Sequence, residues 1–248
     1  MFRLGTLAAG AAIALTMTVA VMAEGERPSG YLAAEALPDS MVILGPPPAA
    51  DSPRATAEMA AFRASRALEG SARWTQATAD AELFGDKAHA SFACAAGVAI
   101  SEEKTPVLSR MMDRVLIDAG RSVSSAKAHY DRKRPLIVDD SLPICVPRED
   151  WMKTNGSYPS GHAAIGWAWA LVLTEVEPAR ATAILARGQA FGESRAVCGL
   201  HFASDIIAGQ TMGAATVARL HADPEFLKDL ALARAEAAKA GTPANCPA

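Results

Sequence analysis

The chain has 248 residues, half of them hydrophobic and 21% charged, with a formal net charge of −3. That balance excludes a disordered chain, and the slightly acidic total offers nothing to nucleic acid or to an anionic membrane surface. The length suits one sizeable hydrophobic core or two small ones, so any cationic site must be local, built from a few clustered Lys and Arg.

Residues 1–23 read as a secretory signal peptide. Arg3 supplies the positive start, Leu4 to Val19 the apolar segment, and Val21-Met22-Ala23 a small-residue cleavage site before Glu24-Gly25-Glu26. The alternative is an uncleaved membrane anchor, but the run is rich in Ala, Gly and Thr and only weakly apolar. The expected address is periplasmic or secreted. After cleavage no apolar run near 20 residues remains, so no stable membrane insertion is expected. Cys94, Cys145, Cys198 and Cys246 make an even count that suits two disulfides in an oxidising compartment. Of the three possible pairings, the neighbour pairing Cys94–Cys145 with Cys198–Cys246 is the expectation. Their wide spacing, with no Cys-x-x-Cys, argues against zinc.

Residues 24–53 are rich in Pro, Gly and Ala and end in Gly45-Pro46-Pro47-Pro48. They read as an extended N-terminal arm lying on the body or on a partner subunit. From 54 to 248 the pattern is helical. A first helix carries Ala57, Met59, Ala60, Phe62, Ala67 and Leu68 at helical spacings; others are expected over Trp74–Leu83 and Ser91–Ile100. Thr105–Ala128 carries a stripe of Leu108, Met111, Met112, Val115, Leu116 and Ala119, in which the Met pair reads as core filling. Pro135 ends that region, and Pro135 to Tyr158 reads as a long loop with little regular structure, of the kind that usually carries function. Helices are then expected after His162, from Ala179 to about Arg195, from about Phe202 to Leu220, and from Asp223-Pro224 to about Lys239. Strand signals are nearly absent, so the fold class is all-α, a compact single-domain helical bundle.

Three clusters carry the chemistry. In Gly156-Ser157-Tyr158-Pro159-Ser160-Gly161-His162, Ser160 can cap the following helix and Gly161 lets backbone approach a ligand. The free amides at such a helix mouth suit an anion, and His162 adds a group that titrates near neutrality. In Ser194-Arg195-Ala-Val-Cys-Gly-Leu-His201-Phe-Ala-Ser-Asp205, His201 and Asp205 are four residues apart, a spacing that stacks them on one helix face and lets the carboxylate fix the imidazole tautomer. In Lys127-Ala-His-Tyr-Asp-Arg-Lys-Arg134-Pro135, Lys127 and Arg134 bracket a helix end, while Arg132 and Lys133 read as surface charges. Together the clusters supply three cations (Lys127, Arg134, Arg195), a glycine-bearing helix mouth and two histidines. A phosphoryl transition state needs these parts: positive groups on its oxygens, an in-line nucleophile and an acid for the leaving oxygen.

The order and spacing resemble the signature shared by the type 2 phosphatidic acid phosphatases and vanadium haloperoxidases: Lys, six residues, Arg-Pro; then Pro-Ser-Gly-His; then Ser-Arg, five residues, His, three residues, Asp. Every signature residue is present, with 23 and 31 residues between the parts. Within that superfamily the chain is similar to bacterial class A non-specific acid phosphatases. It departs from them at Ala163, where they usually have Thr, and at Leu136, where they often have Phe. The resemblance implies metal- and cofactor-independent hydrolysis of small phosphomonoesters by a homodimer or larger homo-oligomer. It assigns His201 as nucleophile, Asp205 as its orienting partner and His162 as acid. Lys127, Arg134, Ser160, Gly161 and Arg195 would hold phosphate, with His129 and Ser194 behind them and His89 and His221 structural. The competing readings are a vanadate-dependent haloperoxidase, a lipid phosphatase and a non-catalytic phosphate-binding protein.

Overall fold

The computed structural model describes residues 29–244 and 246; the expected signal peptide lies outside them. In chain order the α-helices are α1 (Ser40–Ile43), α2 (Pro53–Ser65), α3 (Ala72–Ala79), α4 (Gly85–Ala90), α5 (Ala93–Ala96), α6 (Pro106–Ser122), α7 (Ser124–Tyr130), α8 (Pro135–Val138), α9 (Trp151–Thr154), α10 (Gly161–Val176), α11 (Ala181–Val197), α12 (Ala203–Leu220) and α13 (Pro224–Ala240). Among the described residues there is no strand, and the all-α expectation holds.

The fold is built around α10. A helix apolar on all sides must be enclosed, and α10 is, with Ala163, Ala164, Ala168, Trp169, Ala170 and Leu173 fully buried. The helices α6, α11 and α12 surround it, and α13 packs along α6. Trp169 keeps its one polar atom satisfied by donating Nε1–H to Met112 O at 2.8 Å. Along the crossing of α10 and α12 the backbones nearly touch. A Cβ at Gly209 would stand 3.1 Å from Ala163 Cβ and 3.2 Å from Ala164 N; one at Gly213 would stand 3.2 Å from Ala164 C. Only glycine allows that approach, and it brings the mouths of the two helices together.

Caps mark several helix starts foreseen from sequence. Ser52 accepts from Ala55 N at 3.1 Å, and Asp223 accepts from Glu225 N and Phe226 N at 3.0 and 2.9 Å. At α6, Thr105 does not cap; Glu236 of α13 reaches across to accept from Val107 N and Leu108 N at 2.9 and 3.0 Å. Several boundaries differ from expectation: α2 stops at Ser65, before Ala67 and Leu68, and the Trp74–Leu83 helix runs from Ala72 to Ala79 instead. The Thr105–Ala128 helix divides at Val123 into α6 and α7. The Ser91–Ile100 helix shrinks to α5, stopped by Gly97 at φ 72°, and the unexpected α4 precedes it. The 135–158 loop holds two single turns, α8 and α9.

The arm lies on the body over its described part. Asp118 of α6 accepts from Tyr31 N and Leu32 N at 2.8 and 3.3 Å, and Arg114 stacks over the Tyr31 ring, 3.7 Å from its centroid. Further along, Ser40 Oγ accepts from Ala126 N at 3.1 Å, and Tyr158 Oη donates to Gly45 O at 2.8 Å. The arm thus braces both α7 and the loop before α10.

The disulfides correct the neighbour pairing. Cys94 bonds Cys246 and Cys145 bonds Cys198, with Cα separations of 5.4 and 4.6 Å. The tail after α13 returns beside α5, where Ala99 N donates to Gly241 O at 3.0 Å, and the end of α11 meets the 135–158 loop, where Cys145 N donates to Cys198 O at 3.2 Å. Each bridge is expected to contribute about 2–4 kcal/mol, the Cys94–Cys246 bridge more because it closes the longer loop. Reduction should therefore lower the urea midpoint sharply while the folded fraction keeps most of its turnover. Four free thiols in the native protein would contradict both bridges.

Candidate active site

The last turn of α7 presents Lys127, and Asp131 closes the helix in the left-handed region, at φ 40°. The chain then runs extended into Arg134. Gly156 lies flat against this turn: a Cβ there would stand 2.9 Å from Lys127 O and 3.1 Å from Asp131 Cα. The contact is sealed by Lys127 Nζ donating to Gly156 O at 2.7 Å and Ser157 N donating to Arg132 O at 2.7 Å. Ser160 caps α10 as its residue type predicts, accepting from Ala163 N at 3.2 Å, while Ser160 N donates to Asp205 O at 2.9 Å. At Gly161 a Cβ would meet only Val123 Cγ2, at an ordinary 3.5 Å, so the protein's own packing does not demand glycine there. A backbone kept bare at a helix mouth suits a ligand.

His201 and Asp205 meet, but not by stacking on one helix. His201 stands in the turn before α12, and Asp205, three residues after the N-cap Phe202, folds back to accept from Phe202 N at 2.8 Å. The Nδ1–Oδ2 distance of 3.5 Å is long for a hydrogen bond. Ser157 bridges the gap, its Oγ 3.3 Å from His201 Nδ1 and donating to Asp205 Oδ2 at 2.5 Å. On the other side Arg134 Nη1 lies 2.9 Å from His201 Nε2. A guanidinium can only donate, so Nε2 carries the lone pair and Nδ1 the proton. Burial, then Arg134, lowers the His201 imidazole to about 3, leaving it neutral. Burial opposes the Asp205 charge, but His201, Arg132 and Ser157 outweigh it and hold the carboxyl at about 2.

His162 is held from behind. It stacks on Phe191 with centroids 4.9 Å apart and planes 12° from parallel, and its Nε2 lies 2.5 Å from Asp80 O. A carbonyl can only accept, so Nε2 is protonated and Nδ1 is the nitrogen left for chemistry. Burial first, then Arg195, pushes the imidazole well below its ordinary value. The Asp80 carboxylate is itself fixed by Ser194 Oγ at 2.6 Å and by both terminal nitrogens of Arg187.

Arg195 completes the site. It is buried, and its Nε and Nη1 have no hydrogen-bond partner among the described residues. Burial, then Arg134, lowers it to about 9, and burial lowers Arg134 to about 10, so both remain cations at acidic and neutral pH. Burial, then Arg134, brings Lys127 down to about 7. Uncompensated buried donors and three crowded cations describe a place built for an anion. A groove of about 500 Å³ lined by Arg54, Glu58, Phe62 and Phe202 reaches His201. No group of three or more His, Cys, Asp or Glu suited to a metal occurs among the described residues.

The structure thus gathers His162, Lys127, Arg134, Ser160, Gly161, Arg195, His201 and Asp205 in one place. Ser194 donates to Asp80, whose main-chain oxygen meets His162. His129 is exposed and only edges the Tyr130 ring, with no hydrogen bond to the site. His89 pairs with Asp113 at 3.0 Å and His221 with Glu175 at 2.9 Å, both away from these residues. Arg132 is a correction. It is no surface charge, for its side chain is 12% exposed and binds Asp205 Oδ1 at 2.6 Å and Glu58 Oε2 at 2.8 Å. Ser157 and Asp80 were also missed. Ser157 lies inside the glycine-bearing stretch that pointed to the site, whereas nothing local in the sequence marks Asp80.

The PAP2 superfamily model matches residues 112–228, a span that contains the three clusters. An acid phosphatase of Zymomonas mobilis is 40% identical over 98% of this chain and 90% of its own length. This chain belongs to the PAP2 superfamily, close to the class A non-specific acid phosphatases. Members that are similar across most of their length include the non-specific acid phosphatases of Providencia stuartii, at 39% identity over 81% of this chain and 82% of that one, and of Salmonella typhimurium, at 36% over 90% and 89%. The PAP2 fold extends further. The crystal structure of a bacterial vanadium-dependent iodoperoxidase superposes with a TM-score of 0.54 at 18% identity, covering 72% of this chain and 52% of that one. That likeness is one of fold.

Proposed function

We propose that this superfamily member is an exported acid phosphatase that hydrolyses small phosphate monoesters through a phosphohistidine on His201. The observation that carries this reading is a neutral imidazole whose Nε2 lone pair is presented among two buried cations and one half-buried one, with unpartnered donors on Arg195. Acid phosphatase activity on phosphate monoesters agrees with the relatives, which share the chain over most of its length.

In the first step His201 Nε2 attacks phosphorus and the bond to the leaving oxygen breaks. His162 gives that oxygen a proton from Nδ1, and the alcohol departs neutral. In the second step water gives a proton to His162 and attacks phosphorus, the P–N bond breaks, and phosphate leaves with that proton, so that the imidazole is neutral again. Lys127, Arg134 and Arg195, with Ser160 and the Gly161 amide, hold the phosphoryl oxygens. Burial and Arg195 favour a neutral His162, so the proton it donates must arrive with the substrate. A phosphomonoester monoanion, present below its second pKa of about 6, carries one.

The test is hydrolysis of a chromogenic phosphomonoester after dialysis against EDTA. Rates should survive, vanadate should inhibit as a five-coordinate mimic, and acid-labile label should be trapped on histidine. Activity restored only by added Mg²⁺ or Zn²⁺ would refute the reading. Export is supported by residues 1–23, and the homodimer or larger homo-oligomer expected from the resemblance is measurable by sedimentation.

A pH limb follows from Lys127. Below about 7 it is an ammonium and above it is neutral, so the site loses one cation as pH rises. The expected outcome is a fall in kcat/KM above about pH 7, carried mainly by KM. Lys127→Arg, which keeps its charge, should reduce that limb to the fall that loss of the substrate monoanion alone gives, and an unchanged profile would remove Lys127 from phosphate binding.

A further inference from the structure

Apart from His201 itself, the orienting carboxylate Asp205 is held by residues outside the signature. Its Oδ1 accepts from Arg132 Nη1 at 2.6 Å, and Arg132 is clamped by other contacts. The same Nη1 donates to Ser204 Oγ at 2.8 Å, Nη2 donates to Glu58 Oε2 at 2.8 Å, and the guanidinium lies over the Phe202 ring, 4.2 Å from its centroid. Glu58, in the middle of α2, also caps the start of α12. Its Oε1 accepts from Ser204 N at 2.9 Å and its Oε2 from Ser204 Oγ at 3.0 Å. The Arg132 main chain takes part too, since Arg132 O accepts from Ser157 N and Ser157 bridges Asp205 to His201. Arg132 therefore touches both groups that face His201 Nδ1 and never touches the phosphate cradle itself.

We propose that Arg132, clamped by Glu58, is a positioning residue for the nucleophile: it holds Asp205 ionised and aimed, so that His201 keeps its proton on Nδ1 and its lone pair on Nε2. The N-terminal helix α2 is then part of the catalytic apparatus through a single carboxylate. A largely buried guanidinium set between two carboxylates is costly to desolvate and is more than the seating of α2, whose packing partner is α11, requires. The charged and titratable groups around Asp205 are His201 on its own turn, Lys127, Arg132 and Arg134 from one segment, Tyr158 from the loop, and Glu58 with Arg54 from α2. Arg132 is the cation in direct contact with the carboxylate.

The inference rests on the phosphohistidine reading, and its test compares Arg132→Gln, Arg132→Lys, Glu58→Gln and the double variant Arg132→Gln/Glu58→Gln. Arg132→Gln strands the Glu58 carboxylate, so it should lose both stability and turnover. Its kcat should fall about 10–100-fold with KM within a few-fold, and the acid limb of kcat/KM should move to higher pH because Asp205 then protonates more easily. The double variant removes the stranded charge, so its melting temperature should recover toward wild type while kcat stays low and the acid limb stays displaced. Arg132→Lys keeps the charge but cannot bridge all partners. It should hold the wild-type acid limb with a kcat loss under about 10-fold, and it carries the test if Arg132→Gln fails to fold. Glu58→Gln should leave the acid limb unmoved or moved to lower pH, opposite to Arg132→Gln. Recovery of kcat together with melting temperature in the double variant would reduce Arg132 to a fold element and overturn the proposal. Absence of a trapped phosphohistidine in the wild-type protein would instead overturn the reading beneath it.

Discussion

His201→Ala is expected to be inactive toward every phosphomonoester, with kcat reduced by about 10⁴–10⁶-fold, because it removes the atom that bonds phosphorus. His162→Ala should fail differently. An alkyl phosphate leaves as a strongly basic alkoxide and needs the proton that His162 supplies, so its cleavage should slow by about 10²–10⁴-fold. A nitrophenolate leaves without help, so phosphoenzyme formation from an activated aryl ester should slow distinctly less. That phosphoenzyme should then accumulate, since the second step has lost its base. Rapid-quench measurement of labelled enzyme with both ester types checks this. Equal losses for aryl and alkyl esters in His162→Ala, or phosphohistidine surviving in His201→Ala, would mean the two histidines are misassigned.

Arg195 should show a trade of stability against activity. Its buried Nε and Nη1 meet no partner among the described residues, so Arg195 is a desolvated charge that a bound anion would relieve. Arg195→Met keeps the unbranched stem and removes that charge. We expect it to lower kcat/KM by about 10²–10³-fold, the scale for one lost donor to a transition-state oxyanion. In the absence of ligand the same change should raise stability by about 1–3 kcal/mol. Inorganic phosphate should raise the melting temperature of the wild type by mass action and that of Arg195→Met far less. A destabilised variant with intact kcat/KM would show that Arg195 holds the fold rather than the phosphate.

The residues that bear the chemistry were legible because their signals are local. Ser160 ahead of Gly161 and an unbroken apolar run is a helix mouth by its own residue types, and the structure shows that mouth capped. The ends of α10, α12 and α13 followed from Glu177-Pro178, Asp223-Pro224 and Gly241, each of which stops or starts a helix through its own backbone restrictions. His201 and Asp205 stood out by spacing, although the turn that joins them is not the helical face which that spacing suggests.

Everything decided at a distance was out of reach. Arg132, one of four basic residues in a stretch of eight, looks solvated, and becomes a largely buried ligand of Asp205 only because the chain brings together positions 73 residues apart. Glu58 breaks the apolar periodicity of α2 and would be placed outward, yet it is buried because its partners Arg132 and Ser204 arrive from 74 and 146 residues away. The disulfide pairing turned on the same cause, since the nearest cysteine in space is set by where α11 and the tail after α13 come to rest. Helix starts, stops and faces are properties of a few consecutive residues, so the sequence by itself determined the elements and the reactive groups. Burial, charge pairing and cross-links are properties of the packed chain, so only the tertiary structure decided which groups hold the reactive ones in place.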